Sequence, residues 1–112
     1  MTPSDIAGWR RRIDELDRKL VELLNERSRC ALEIGRLKRT AQLPLYQPDR
    51  EREVLENAER ANSGPLSDRA IRRLFERILD EARSVEREAM RAEESAKEVS
   101  QEASKPPRTD RG

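Results

Sequence analysis

The chain has no histidine. That removes the usual general base near neutral pH and the commonest metal ligand. One cysteine, Cys30, rules out an intrachain disulfide and leaves no cysteine-based metal site. Aromatic residues are 3% of the 112 positions: Trp9, Tyr46 and Phe75. Apolar residues reach only 34%, so a lone chain would bury a thin core. No apolar run approaches the roughly 20 residues of a membrane span. The start of the chain lacks a basic segment followed by an apolar core, so no secretory signal is visible and the cytoplasm is the default. Nor is there a charge excess. Lys plus Arg total 24 and Asp plus Glu total 23, giving +1, which argues against a general nucleic-acid binder.

What the chain has is charge and helical period. Charged residues make up 42%. Arginine far outnumbers lysine, which fits bidentate recognition of carboxylates or phosphates and equally fits a G+C-rich genome. From Ile6 to Leu37 an apolar stripe steps by three and four: Ile6, Trp9, Ile13, Leu16, Leu20, Leu23, then Cys30, Ile34 and Leu37. This is the heptad spacing of a long helix with a buried seam. Arg27 occupies the seam position between Leu23 and Cys30. A guanidinium drawn into a helical core needs an anionic partner, because an unpaired buried charge is costly.

The spacing predicts a first helix from just after Pro3, capped by Ser4 or Asp5, to about Arg39. Such a helix is roughly 50 Å long and must pack against something beyond a compact monomer. Pro44 and Pro48 make residues 40–48 a loop. A thin apolar face of Val54, Leu55, Ala58 and Ala61 predicts a second helix from about Asp49 to Ala61. Asn62-Ser63-Gly64-Pro65 is a break. A third helix, capped by Ser67 or Asp68, carries Ile71, Leu74, Phe75, Ile78, Leu79, Ala82, Val85 and Ala89, and should end near residue 90. Residues 92–112 are charged, rich in small residues and contain Pro106-Pro107; they read as a disordered tail. The expected architecture is all-α, with three helices (long, short, medium) in one domain over residues 1–91.

Arg27 and Lys38 are eleven residues apart, close to three full turns, so they share a face at roughly 16 Å separation. Two long side chains leaning together leave room for a small molecule. Arg10 lies about 25 Å from Arg27 along the same helix, too far to share one small ligand. An antiparallel copy of the helix would bring it within reach, so a dimer with shared sites is expected. The plainer reading of Arg27 is a salt bridge to a glutamate across the seam, with the guanidinium reaching outward. Arg10 and Lys38, taken singly, read as solvated. Asp49 and Glu53 suit the positive end of the second helix. Glu86 sits at the edge of the third helix's stripe, where desolvation would raise a carboxyl pKa.

In order and spacing these residues resemble the all-helical (AroQ-type) chorismate mutases, over about Trp9 to Glu86. The likeness rests on several segments. They are Arg10 before Ile13-Asp14-Glu15-Leu16-Asp17, then Leu23-Leu24-Asn25-Glu26-Arg27, then Glu33-Ile34-Gly35-Arg36-Leu37-Lys38. Pro44, Asp49-Arg50-Glu51-Arg52-Glu53 with Val54-Leu55, and IRRLFERIL over 71–79 complete the set.

The resemblance implies an intertwined homodimer and the rearrangement of chorismate to prephenate, in phenylalanine and tyrosine biosynthesis. That step is intramolecular and pericyclic, so no nucleophile, metal or cofactor is implied. It needs a compact substrate conformer and cations near the carboxylates and the breaking ether bond.

By the same resemblance, Arg27 holds a substrate carboxylate and Arg10 comes from the other subunit for the second carboxylate. Lys38 contacts the ether oxygen, Glu51 accepts from the ring hydroxyl, and Arg50 supports the site. Gln47 stands where bacterial relatives often have aspartate. Ala82 falls at a common serine position, and Ser84 points about 200° away from it round the helix. Glu86 falls at a glutamine-or-glutamate position beside the ether oxygen. Alternatives include isochorismate pyruvate lyase on the same fold and a non-catalytic regulatory helical dimer that partners another shikimate-pathway enzyme. The plainest is an uncatalytic helical hairpin or coiled coil.

Overall fold

The computed structural model describes residues 5–104. It contains three helices, α1 (Ile6–Thr40), α2 (Pro48–Ala61) and α3 (Asp68–Ser104), and no strand among the described residues. The chain forms two compact units, the first through Leu45 and the second from Tyr46. Among the described residues no helix is long and apolar enough to cross a membrane.

In the first unit α1 is one continuous helix of 35 residues. Asp5 caps it, its side chain accepting from the Gly8 amide, which satisfies one of the orphan donors of the first turn. At the other end Gln42 adopts φ 58°, in the left-handed region. The Gln42 amide bonds the Arg39 carbonyl at 3.2 Å and the Leu43 amide bonds the Lys38 carbonyl at 2.8 Å. These two bonds form a Schellman-type stop with glutamine in the place glycine usually takes. The turn folds the proline loop back over the last turn of α1. The seam residues of α1 are exposed in the single chain: Ile13 is 54% accessible, Leu20 55% and Ile34 52%. A stripe of that length left in water is a large unfavourable apolar surface for a chain whose apolar share is only 34%.

The second unit is a helical hairpin. Pro48 opens α2 at a position where its missing amide costs nothing. Asn62 organises the turn to α3: its amide nitrogen donates to the Leu66 carbonyl and to Asp68, each at 2.8 Å, and its oxygen accepts from the Gly64 amide. Gly64 has φ 79°, where a side chain would be strained. Ser67 then caps α3 through its hydroxyl to the Ala70 amide, 3.0 Å. Glu59 pairs with Arg72 at 3.1 Å and Glu51 pairs with Arg83, so the helices run antiparallel. Leu55, Ala58 and Leu79 form the buried core between them. Leu79→Ala is therefore expected to cost about 2–4 kcal/mol of stability in urea unfolding, through lost burial and an unfilled cavity.

The expected end of the third helix near residue 90 falls short: α3 continues to Ser104. Residues 92–104 hold no glycine or proline; four are glutamate and three alanine, with one lysine and one glutamine. These are strong helix formers, and extending a helix already nucleated costs far less than starting one. The remainder of the expected tail, Pro106-Pro107 included, lies outside the described residues.

Candidate functional site

The candidate residues divide between the two units. Arg10, Arg27 and Lys38 all stand on α1. Because α1 is unbroken from Ile6 to Thr40, the separation of Arg10 from Arg27 is fixed at about 25 Å by helix rise. Arg10 is exposed, whereas Arg27 and Lys38 are half-buried. Among the described residues Arg27 makes no hydrogen bond and no ion pair. The fork of donors on such a guanidinium is suited to a carboxylate or another planar anion.

Lys38 is placed by the Schellman turn. Its Nζ donates to the Leu45 carbonyl at 3.2 Å. The ammonium has three donors, so this bond anchors the side chain and leaves two protons for an acceptor. Its neighbours Glu33 and Arg36 pair along one helix edge, and the hydrogen bond and charge of Arg36 hold the Glu33 carboxyl below its ordinary pKa.

In the second unit, Gln47 is the N-cap of α2 and gives no side-chain cap. Its carbonyl accepts from the Glu51 amide at 3.1 Å, the first helical bond of α2. Arg50 is exposed and pairs with Glu53 at 2.8 Å. Glu51 is turned toward α3, where Arg83 donates to its Oε1. Glu86, half-buried on α3, stands three residues beyond Arg83 and so on the same side of that helix. Ala82 and Ser84 are both half-buried on α3, and their two-residue step sets them about 200° apart round the helix.

Arg83 is the residue that sequence reasoning missed. It binds Glu51 through one terminal nitrogen and Asp80 through the other. Its guanidinium carbon lies 5.8 Å from the centroid of the Tyr46 ring. The hydrogen bond to Glu51 is the main cause that raises its pKa above the ordinary arginine value, outweighing desolvation. The available signal was Asp80 three residues earlier, a helical pairing distance, but many acids and arginines of this chain are spaced that way.

A family model, chorismate mutase type II, matches residues 9–87. The chain belongs to this family. It is 40% identical over 86 residues to a bifunctional chorismate mutase/prephenate dehydratase of Pseudomonas aeruginosa, covering 72% of this chain and 24% of that one. It is 42% identical over 78 residues to a protein of the same description from Neisseria gonorrhoeae, covering 70% and 21%. The chain thus spans about a quarter of the length of these curated relatives. Among solved structures, a chorismate mutase (form II) of Thermus thermophilus superposes with a TM-score of 0.72 at 39% identity, covering 73% of this chain and 93% of that one. The all-α, three-helix architecture is therefore that of the chorismate mutase type II fold. The matched span, 9–87, includes every candidate residue from Arg10 to Glu86.

Proposed function

We propose that this chain is a chorismate mutase, rearranging chorismate to prephenate in phenylalanine and tyrosine biosynthesis. The observation that carries the reading is Arg27: a half-buried arginine with no anionic partner among the described residues, on a chain of this family. In the reaction one carbon–carbon bond forms as the ether carbon–oxygen bond breaks, within a single cyclic shift of electron pairs. No atom leaves and no covalent intermediate forms. The protein's work is to hold the substrate in a folded, chair-like conformer and to place positive charge where the ether oxygen gains electron density.

The residues divide that work as follows. Arg27 binds one carboxylate by its fork of donors. Lys38, anchored on Leu45, directs a remaining proton to the ether oxygen. Glu51 accepts from the ring hydroxyl, Gln47 contributes its backbone at the start of α2, and Arg50 supports the anionic groups. Arg10 completes the site from a second copy of the chain. The exposed α1 seam supports this homodimer, since a partner helix is what such a stripe is built to meet. The catalytic domain is residues 1–91, with the extension from 92 outside it, and the protein works in the cytoplasm. The dual description of the curated relatives supports a complex with another shikimate-pathway enzyme.

Glu86 is the acid beside the ether oxygen. A glutamate donates a hydrogen bond only when protonated, whereas a glutamine donates at any pH. The charged form would also oppose the developing negative charge. Activity is therefore expected to fall as pH rises through the Glu86 pKa, and Glu86→Gln is expected to flatten the profile. A wild-type pH–rate curve that is flat from acid to mildly basic conditions would count against this role.

The deciding assay is prephenate formation from chorismate by purified chain, run beside isochorismate as competing substrate. Turnover of chorismate supports the mutase. Pyruvate release from isochorismate without prephenate formation would assign the lyase instead. No turnover, together with failure to bind a dicarboxylate transition-state analogue, would leave a structural helical module.

A further inference from the structure

Between α2 and α3 lies a network that joins Glu51 to residues the family resemblance did not single out. Arg83 reaches from α3 to Oε1 of Glu51 on α2, and its second terminal nitrogen is tied to Asp80. The Tyr46 ring lies beside the guanidinium, 5.8 Å from centroid to Cζ, close enough for a cation–π contact. The Arg83 and Glu51 side chains are 31% and 23% accessible, against 59% for both members of the exposed Arg50–Glu53 pair. Among the described residues no donor reaches the other oxygen of Glu51.

A free glutamate side chain samples many rotamers, and an acceptor that must meet one hydroxyl loses most of its value if it wanders. A guanidinium is a rigid planar fork. Asp80 on one nitrogen and the Tyr46 face leave Arg83 little freedom, so the oxygen it holds is fixed in turn. A carboxylate has about four lone-pair sites on two oxygens, and binding one oxygen to arginine leaves the other open as acceptor.

We propose that Arg83 is a positioning residue. It pins Oε1 of Glu51 so that the second oxygen accepts from the substrate's ring hydroxyl, and Asp80 and Tyr46 hold Arg83 in place. This rests on the mutase reading above. The competing account is that the pair only staples α2 to α3 and sets hairpin stability.

The test is a double-mutant cycle of Arg83→Met and Glu51→Ala, with Arg83→Lys as the conservative variant. All are assayed for prephenate formation well below their melting temperatures, with circular dichroism confirming the folded state. Arg83→Met is expected to lower kcat/KM about tenfold, the size of coupling usual for residues in one hydrogen-bond network. In the Glu51→Ala background the same change should cost less than about twofold, because the group it positions is gone. Arg83→Lys should recover part of the loss, since it keeps the charge and a donor but not the fork. A purely stapling role predicts lowered melting temperature with kcat/KM unchanged in the folded variants, and that result overturns the proposal. So does a loss that is fully additive with Glu51→Ala. An inactive wild type overturns the mutase reading and this inference together, whereas an active wild type with unimpaired Arg83→Met overturns this inference alone.

Discussion

Arg27→Ala is expected to lower kcat/KM for prephenate formation by about a hundred- to a thousandfold, the usual cost of deleting one charged or oxyanion-type contact from a desolvated site. On α1 the seam positions before and after it are Leu23 and Cys30, and the helix gives it no acid among the described residues. Its charge therefore has no stabilising use in the isolated chain and a desolvation cost in any assembly that covers the seam. Removing it should leave helix content unchanged, because alanine is the strongest helix former. It should leave the melting temperature unchanged or raised, because a partly buried cation is removed without orphaning a partner. That separation of function from stability is the useful signature. An arginine kept for a salt bridge would instead lower stability when deleted and leave turnover intact. Arg27→Lys should recover only part of the activity, because an ammonium cannot reproduce a bidentate carboxylate contact. Measuring kcat/KM, the melting temperature and the dissociation constant of a dicarboxylate transition-state analogue on the same preparations decides between the two accounts. An Arg27→Ala protein with activity near that of the wild type would sink the reading.

What could be seen in the sequence follows from which contacts lie within one helix. The period of α1, a cap at Ser4 or Asp5, the proline loop and a cap at Ser67 or Asp68 are local properties, and the structure has the helix, the loop, and Asp5 and Ser67 as the caps. The three-turn spacing of Arg27 and Lys38 is also local, since one helix fixes it. Arg83 was not legible, because its value comes from the register of α3 against α2. That register is set by how Leu55, Ala58 and Leu79 pack, which no single-helix pattern reports. The same applies to the Lys38–Leu45 bond, which depends on Gln42 taking a left-handed conformation that glutamine seldom favours. The end of α3 was misplaced for a different reason. A charged, small-residue stretch such as 92–104 has the composition of a disordered tail and of a solvated helix alike, and continuity with a packed helix decides between them.

Mixing an Arg10→Ala protein with an Arg27→Ala protein, each nearly inactive alone, is expected to restore activity. The reason is geometric. Both arginines stand on one unbroken helix, about 25 Å apart, so a single chain cannot bring them to the two carboxylates of one small substrate. If a second chain supplies Arg10, a mixed dimer holds one site with Arg27 from the first chain and Arg10 from the second. Its other site lacks both. Random exchange at equal amounts makes about half the dimers mixed, and one good site in each returns about a quarter of the wild-type sites. Exchange needs brief unfolding or dilution followed by reassociation, and a mixture left unexchanged is the control. If Arg10 instead served its own chain's site, or only the solvated face, no mixture would recover activity, because every chain would carry its own defect. If the protein were a monomer, dilution through the concentration range of the assay would leave specific activity constant and mixing would do nothing. A return of activity that grows with exchange and levels off near that quarter can arise only when the site is shared across the seam.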